Sequence, residues 1–327
     1  MRKSITGVLA IAGVAAAGML TATSASADLV TRCSGTAGDV TVPGDLVVPA
    51  GQTCDLTGTT VDGDVRVRAG ADLIGEDVTV TGDIVGAADA YLDLVGSEVA
   101  GAVTLNGAYG AVLEESTVSD RVLSRAGEEE IASFVYTLDS ALGANLVARS
   151  GEVYVENSSI AGTVNSQGTL YTDIFGTFID GRLVLRDSAE GAILCGVTVQ
   201  GTSRLAENAG PVQIGSDGPI ADCDLGASYW GDTLRIDTNT AGVVVDDSIV
   251  NGDLRLQDNE PVAVLGDNVR VRGEVIGDHD SPAELSVQAF SEQASGADHA
   301  ESIQDRIAER SAAAQEQAAA AGSAGLD

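Results

Sequence analysis

The residues best suited to carry chemistry lie between positions 201 and 255, where acids and arginines occur close to the only tryptophan of the chain. Two carboxylates that flank a glycosidic bond can act as the acid and the base of its hydrolysis, and an arginine can serve as the base of an eliminative cleavage. Arg235, Asp237 and Asp253 supply these groups, so they are the candidates for a catalytic centre. No sequence motif links these three residues. In the alternative interpretation they are charged turn residues that face solvent and have no catalytic role.

An aromatic pair, Trp230 and Tyr229, lies in the same region. Nearby acids are Asp217, Asp222, Asp224 and Asp232. Aromatic rings with a few polar groups are common in binding sites, so the pair is a candidate carbohydrate subsite. In the alternative interpretation Trp230 only covers a loop that Cys223 attaches to the protein.

Glycine–aspartate turns offer a second kind of site. Asp45, Asp64 and Asp83 occur at intervals of 19 residues. Like charges on neighbouring strands repel each other, and a calcium ion bound by carboxylate and carbonyl oxygens would relieve that repulsion. These three residues are therefore the candidate metal ligands and calcium the one candidate cofactor; turns that tolerate solvated aspartate are the alternative.

The two histidines, His279 and His299, are expected to lie in solvent. His279 stands between two aspartates in a polar turn, and His299 lies in the C-terminal tail. Because no histidine accompanies a serine or cysteine, the sequence excludes a catalytic triad.

A repeat determines how these residues are positioned. Gly44, Gly63, Gly82 and Gly101 are each 19 residues apart, and a strand pattern follows each one. Further anchors continue the series with intervals of 19 to 30 residues: Asp120, Gly143, Gly162, Gly181, Gly201, Gly231, Gly252 and Gly273. The longest interval follows Gly201 and contains the aromatic pair.

Apolar positions recur in fixed columns behind each anchor. One column includes Leu46, Val65, Ile84 and Val103, and a second includes Val61, Val80 and Val99. A third cluster lies in mid-coil and includes Leu73-Ile74, Leu92, Val112, Ile131 and Val153. Three short strands per repeat, separated by turn-forming residues, predict an all-β, right-handed parallel β-helix of about 12 coils of 19 to 21 residues.

The predicted organisation has four parts: a signal peptide at 1–27, an N-terminal cap at 28–43, the β-helix at 44–282 and an Ala/Gln/Glu-rich tail at 283–327. The tail is expected to be helical or disordered. Only Ile303 and Ile307 are large and apolar there, so a helix would be loosely docked at best.

The coil architecture of residues 40–282 resembles that of the pectin-lyase-like parallel β-helix proteins. The runs Asp237-Thr238-Asn239-Thr240 and Asp246-Asp247 are similar to acidic motifs of polygalacturonase-like hydrolases, although no Gly-His-Gly or Arg-Ile-Lys accompanies them. The resemblance implies polysaccharide cleavage in a groove near coils 201–255. Short glycine-punctuated coils also resemble those of bactofilins, which are cytosolic.

The N-terminal sequence predicts export. Arg2 and Lys3 precede an apolar run, and Ala25-Ser26-Ala27 fits a cleavage site. No later stretch is long and apolar enough for a membrane span, so the protein is expected to be secreted. An even number of cysteines in an exported chain favours disulfides, and spacing favours Cys33–Cys54 and Cys195–Cys223. Zinc is the alternative, without a C-x-x-C motif to support it.

Charge limits the partners. Removal of residues 1–27 removes two cations from a chain of net charge −32, which leaves −34 on the mature protein. Such a surface disfavours nucleic acid and anionic membranes, whereas a carbohydrate or a cell-surface component remains open as a partner. The sequence thus predicts an exported, non-catalytic β-helix that acts as a structural, surface-associated or binding protein. A polysaccharide lyase or glycoside hydrolase is the alternative.

Overall fold

A computed structural model describes residues 30–128, 133–216, 218–282 and 296–326. The predicted signal peptide, Ile131, Asp217 and positions 283–295 of the tail lie outside the described residues. The described chain forms a parallel β-helix of 13 coils, followed by one helix, α1, at Gly296–Ala321. This confirms the predicted fold class, with one coil more than expected; right-handed winding stays a prediction.

Each coil contributes one strand to each of three parallel sheets, except that the last coil has no strand in sheet C within the residues up to 282 that the structure describes. Sheet A contains β1 (Val30–Arg32), β4 (Asp45–Val48), β7 (Val65–Val67), β10 (Ile84–Gly86), β13 (Val103–Asn106), β16 (Val122–Arg125), β19 (Leu146–Ala148), β22 (Val164–Gln167), β25 (Leu183–Arg186), β28 (Ser203–Ala206), β31 (Leu234–Asp237), β34 (Leu254–Gln257) and β37 (Val275–Ile276).

Sheet B contains β2 (Gly35–Ala37), β5 (Thr53–Thr57), β8 (Asp72–Glu76), β11 (Tyr91–Val95), β14 (Gly110–Glu114), β17 (Phe134–Leu138), β20 (Glu152–Glu156), β23 (Tyr171–Phe175), β26 (Gly191–Cys195), β29 (Val212–Ile214), β32 (Val243–Val245), β35 (Ala263–Leu265) and β38 (His279–Asp280). Sheet C contains β3 (Thr41–Val42), β6 (Thr60–Val61), β9 (Thr79–Val80), β12 (Glu98–Val99), β15 (Thr117–Val118), β18 (Ala141–Leu142), β21 (Ser159–Ile160), β24 (Phe178–Ile179), β27 (Thr198–Val199), β30 (Ser228–Trp230), β33 (Ser248–Val250) and β36 (Val269–Val271).

The predicted N-terminal cap is wrong for the part that the structure describes. Residues 30–42 form β1, β2 and β3, which pair in register with the strands of the next coil. The segment lacks the anchor glycine that marks later coils, yet it has the same three-strand form. It is therefore the first coil of the rod.

The anchor glycines are required by the close stacking of turns. The N–H of Gly82 donates to the carbonyl oxygen of Gly63 at 3.1 Å. A Cβ atom at Gly82 would lie 2.7 Å from that oxygen, inside contact distance. Only glycine fits this approach without a shift of the backbone, which explains the 19-residue signal in the sequence.

Inward-pointing side chains of the three sheets form one continuous core. Leu46 pairs with Val65, and Ile84 lies between Val65 and Val103 in the same column; all four are fully buried. The predicted core columns of sheets A and C are thereby confirmed. The mid-coil cluster divides: Leu73 and Leu92 point into this core, whereas Ile74 and Val112 belong to a separate cluster on the outer side of sheet B.

Both predicted disulfides are present. The Cα atoms are 5.4 Å apart in Cys33–Cys54 and 6.4 Å apart in Cys195–Cys223, within the usual range for disulfides. The first joins the first two coils. The second attaches the insertion at 215–227 to sheet B, where Ile220 packs against Val244 and Val264.

Helix α1 lies along the outer face of sheet B, contrary to the expectation of a loose tail. Its contacts run from Asp173 in coil 8, through Asp72 in coil 3, to Thr53 in coil 2. A helix of 26 residues is about 39 Å long at 1.5 Å per residue, enough to cover these coils. The expectation was wrong because α1 also makes polar contacts with the rod, which a count of large apolar residues does not reveal.

Residues 322–324 pack on the first coil. The N–H of Thr36 donates to the carbonyl oxygen of Gly322, and the N–H of Ala324 donates to that of Thr36, both at 2.9 Å. A Cβ atom at Gly35 would lie 2.1 Å from the Gly322 oxygen, so a glycine is needed where the two segments meet. The C-terminus thereby covers part of the edge strand of sheet B.

A matched pair of substitutions tests the docking of α1. Ala318 is buried and Ala319 is exposed. We expect Ala318→Glu to release the C-terminal half of α1, because burying an unpaired carboxylate costs several kcal/mol. Hydrogen exchange should show faster exchange across residues 311–321 in this variant. Ala319→Glu should change stability by about 0.5 kcal/mol or less, and equal exchange in the two variants would contradict the docked arrangement.

Candidate functional site

Three arginines form a column on the outer face of sheet A. Arg204 pairs in register with Arg235, and Arg235 with Arg255. Neighbouring strands of a sheet are about 4.8 Å apart, and like charges opposite each other are destabilising. The column is stable only if nearby carboxylates offset this repulsion.

Asp237 supplies most of that compensation. Its carboxylate accepts hydrogen bonds from Nε and Nη2 of Arg204 at 3.1 and 2.8 Å and from the same atoms of Arg235 at 2.9 and 3.4 Å. The Asp237 side chain is only 5% exposed. Burial raises its pKa, but the hydrogen bonds from Arg204 and Arg235 outweigh this effect, so the pKa of Asp237 lies below its ordinary value.

Asp253 is held in a similar way. Its carboxylate accepts from the N–H of Glu274 at 3.1 Å and from Nη2 of Arg255 at 3.0 Å. The backbone bond and then the arginine lower the pKa of Asp253. Asp237 pairs in register with Gln257 rather than with Asp253, so the two carboxylates do not face each other across neighbouring strands.

A shallow groove of about 360 Å³ runs over this column. It is lined by Arg182, Val184, Thr202, Ser203, Arg204, Thr233, Arg235 and Arg255. Both Asp237 and Asp253 have lowered pKa values, whereas a general acid of glycoside hydrolysis requires a raised one. The arrangement can bind an anionic group through guanidinium N–H donors, but it lacks a protonated carboxyl group.

Comparisons of the chain with protein-family models, with curated proteins and with solved structures gave no match. Functional assignment therefore depends on the geometry of the rod. In the described ranges, 30–128, 133–216, 218–282 and 296–326, no helix has the length and apolarity needed to cross a membrane.

The two aromatic candidates lie on sheet C, away from the arginine groove. Trp230 stands between Val199 and Val250 and is fully buried in the core. It cannot stack on a sugar at the surface, so its proposed binding role is wrong. Tyr229 points to the opposite side of the same strand, where it is half-buried between Thr198 and Ile249.

The aspartate row of Asp45, Asp64 and Asp83 links neighbouring turns. Each Oδ1 atom accepts a backbone N–H from the next coil, with distances of 3.0, 3.0 and 2.8 Å. Arg66 also bonds to Asp45 at 2.5 Å and to Asp64 at 3.2 Å. Each carboxylate that the sequence offered as a calcium ligand therefore has at least one hydrogen-bond donor within the protein. Among the described residues, no cluster of three or more His, Cys, Asp and Glu side chains could hold a metal ion.

A buried cluster under α1 was not predicted. Nδ1 of His299 lies 2.9 Å from Oδ2 of Asp173, and Nε2 lies 3.7 Å from Oε2 of Glu190. The imidazole stacks on Tyr171 with ring centroids 3.8 Å apart. The expectation that His299 faces solvent was therefore wrong. Its spacing to Ile303, four residues later, is that of neighbours on one helix face and could have revealed the buried stripe.

The cluster continues along the rod through a second carboxylate. Glu152 accepts from the hydroxyl of Tyr171 at 3.1 Å and pairs with Arg306 of α1. Desolvation raises the pKa of Glu152 despite Arg306, and it raises the pKa of Asp173 despite His299. For His299, desolvation lowers the pKa, but Asp173, Glu190 and Glu152 together raise it above the ordinary 6.5.

The raised pKa of His299 gives a signed pH prediction. The stability that protonated His299 contributes is fully present below pH 6.5 and is lost as the pH rises through its higher pKa in the docked state. When the pH exceeds the pKa of docked His299, the buried carboxylate of Asp173 faces a neutral imidazole, which weakens the docking of α1. We expect protease cleavage within α1 to become faster as the pH increases above 6.5, when measured relative to an unstructured peptide with the same cleavage site.

The two histidines provide the control. His299→Gln should remove this pH dependence, whereas His279→Gln, in the exposed strand β38, should leave it intact. An unchanged pH profile in His299→Gln would show that another group controls the docking of α1.

The aspartate row also gives a prediction. In coil 7, Asn145 accepts the N–H of Thr163 at 2.7 Å, so an amide can replace the carboxylate as acceptor. We expect Asp64→Asn to fold with nearly unchanged stability and Asp64→Ala to lose about 1 kcal/mol, measured by denaturant unfolding. A chelator should not change the stability of either variant. If calcium stabilises the native protein but not Asp64→Asn, the aspartate row is instead a metal site.

Proposed function

We propose that the protein is exported and non-catalytic, and that it acts as a structural, surface-associated or binding protein. Export is supported by the N-terminal signal in the sequence and by two disulfides, which persist in oxidising compartments. The observation that carries the non-catalytic part is the double pairing of Asp237 with Arg204 and Arg235. A buried, ionised and fully paired carboxylate is poorly suited to donate or remove a proton during catalysis.

The groove on sheet A supports a binding role. The side chains of Arg204, Arg235 and Arg255 are 39%, 44% and 42% exposed. A guanidinium carries five N–H donors, so donors remain after the bonds to Asp237 and Asp253. A carbohydrate or another cell-surface component bearing anionic groups is the partner class that this surface favours.

A polysaccharide lyase or glycoside hydrolase remains the second candidate. The groove lies in coils 9 to 12, at the place that the architectural resemblance indicates, and it contains arginines that could assist cleavage of an acidic sugar. For such an enzyme Asp237 or Asp253 would need to exchange its arginine partners for substrate.

A depolymerisation assay separates the two functions. The mature protein is incubated with acidic and neutral polysaccharides, with calcium or with a chelator, and chain length and new ends are measured. We expect no cleavage, and retention of at least one polymer in affinity electrophoresis. Cleavage that Asp237→Asn abolishes and Asp258→Asn retains would overturn the proposal, because Asp258 is an exposed turn residue on the neighbouring coil.

A further inference from the structure

Helix α1 separates its charges between two faces. The cations His299, Arg306 and Arg310 all contact acids of the rod. The acids Glu301, Asp305, Glu309 and Glu316 are exposed. Buried apolar contact is limited, since the fully buried apolar side chains within residues 299–321 of α1 are Ile303, Ala314 and Ala318. The helix is thus held by its cationic face rather than by a wide apolar stripe.

The surface beneath α1 is unusually aromatic for this chain. Of the 11 Phe, Trp and Tyr residues in the sequence, seven belong to the cluster on the outer side of sheet B: Tyr91, Tyr109, Phe134, Tyr136, Tyr154, Tyr171 and Phe175. Arg306 lies over the ring of Phe134 at 5.2 Å, and Arg310 lies over that of Tyr109 at 5.0 Å. Aromatic faces attract guanidinium groups at these distances.

Carboxylates complete this surface. Arg310 pairs with Asp72 at 2.9 Å, Arg306 pairs with Glu152, and Ser311 bonds to Asp93. An aliphatic helix placed here would leave Asp72, Glu152 and Asp173 buried without cations, which is strongly unfavourable. The surface is therefore complementary to a helix with cations one turn apart and small residues where it approaches the sheet.

The docking of α1 is also suited to reversal. Asp72 and Glu152 are 7% and 6% exposed beneath α1, and this burial raises the pKa of both carboxyl groups in spite of their arginine partners. Docking of α1 therefore costs desolvation that the undocked state avoids. Protonation of His299 adds a second control at the other end of the helix. Such contacts discriminate strongly between partners while leaving the net free energy of docking modest.

From these contacts we infer that the outer face of sheet B is a binding groove for a cationic amphipathic helix of another protein, and that α1 is its displaceable internal occupant. A competing helix carries two cations with the spacing of Arg306 and Arg310 and small side chains at the positions of Ala314 and Ala318. This interaction is separate from the groove on sheet A, so it does not depend on the proposed function.

The test uses the whole mature protein and a fluorescent peptide with the sequence of residues 296–326. Fluorescence anisotropy should show saturable binding. Because the peptide carries the same His299 as α1, protonation favours both occupants, and binding should change little with pH. Ala318→Glu in the protein, which weakens the internal helix, should tighten binding of the peptide by about tenfold, whereas Ala319→Glu should leave it unchanged. A peptide carrying both Arg306→Gln and Arg310→Gln should bind at least tenfold more weakly.

Proteolysis of the protein's own α1 identifies the site of binding. Cleavage of α1 should increase with peptide occupancy, because the peptide and α1 compete for one groove. The inference is overturned if the Ala318→Glu protein binds no peptide, if the peptide lacking both arginines binds equally well, or if the peptide binds while α1 stays protected.

Discussion

Parallel stacking of coils at one fixed spacing is the constraint on which the rest of the molecule depends. Each strand side chain lies over its register partner in the next coil, about 4.8 Å away, so the residues of one column must be able to pack against one another. Apolar columns meet this condition by packing. The turn glycines meet it by allowing backbone contact, as between Gly63 and Gly82. Charged columns meet it only when a neighbouring group compensates, which explains the bonds of Asp64 to a backbone N–H and of Asp237 to two arginines.

The same constraint gives the rod three different outer faces. Sheet A carries the arginine column and its groove. Sheet C presents a short polar column that includes Thr41, Thr60 and Thr79. Sheet B carries aromatic and apolar residues that stacking cannot bury, because they point away from the core. Helix α1 covers this face over the earlier coils, and the insertion held by Cys195–Cys223 covers part of it near the later ones. Among the described residues, sheets A and C carry no such cover, whereas a partner at sheet B would have to displace α1.

Much of the fold could be predicted because a repeat makes one pattern visible many times. The glycine interval, the inward columns of sheets A and C and both disulfides follow from it. The first coil was missed because it lacks an anchor glycine, and the mid-coil cluster was misread because both sides of sheet B are buried. Trp230 was misassigned because a single strand gives no indication of which neighbour points inward. His299 was missed because its partners are more than 100 residues away; its spacing to Ile303 indicates a buried helix face but does not identify those partners.

The covered face differs in kind from the core that the repeat specifies. A core made only for stability would use aliphatic side chains, since replacing a buried ion pair by apolar groups is often neutral or stabilising. Sheet B instead keeps Asp72, Glu152 and Asp173 under a helix that supplies Arg310, Arg306 and His299. Such pairs contribute little net stability and much selectivity, because a partner without matching cations leaves the carboxylates buried and uncompensated. The covered face is therefore matched to a helix that carries cations at these positions, which is the property that the proposed exchange of α1 for another helix requires.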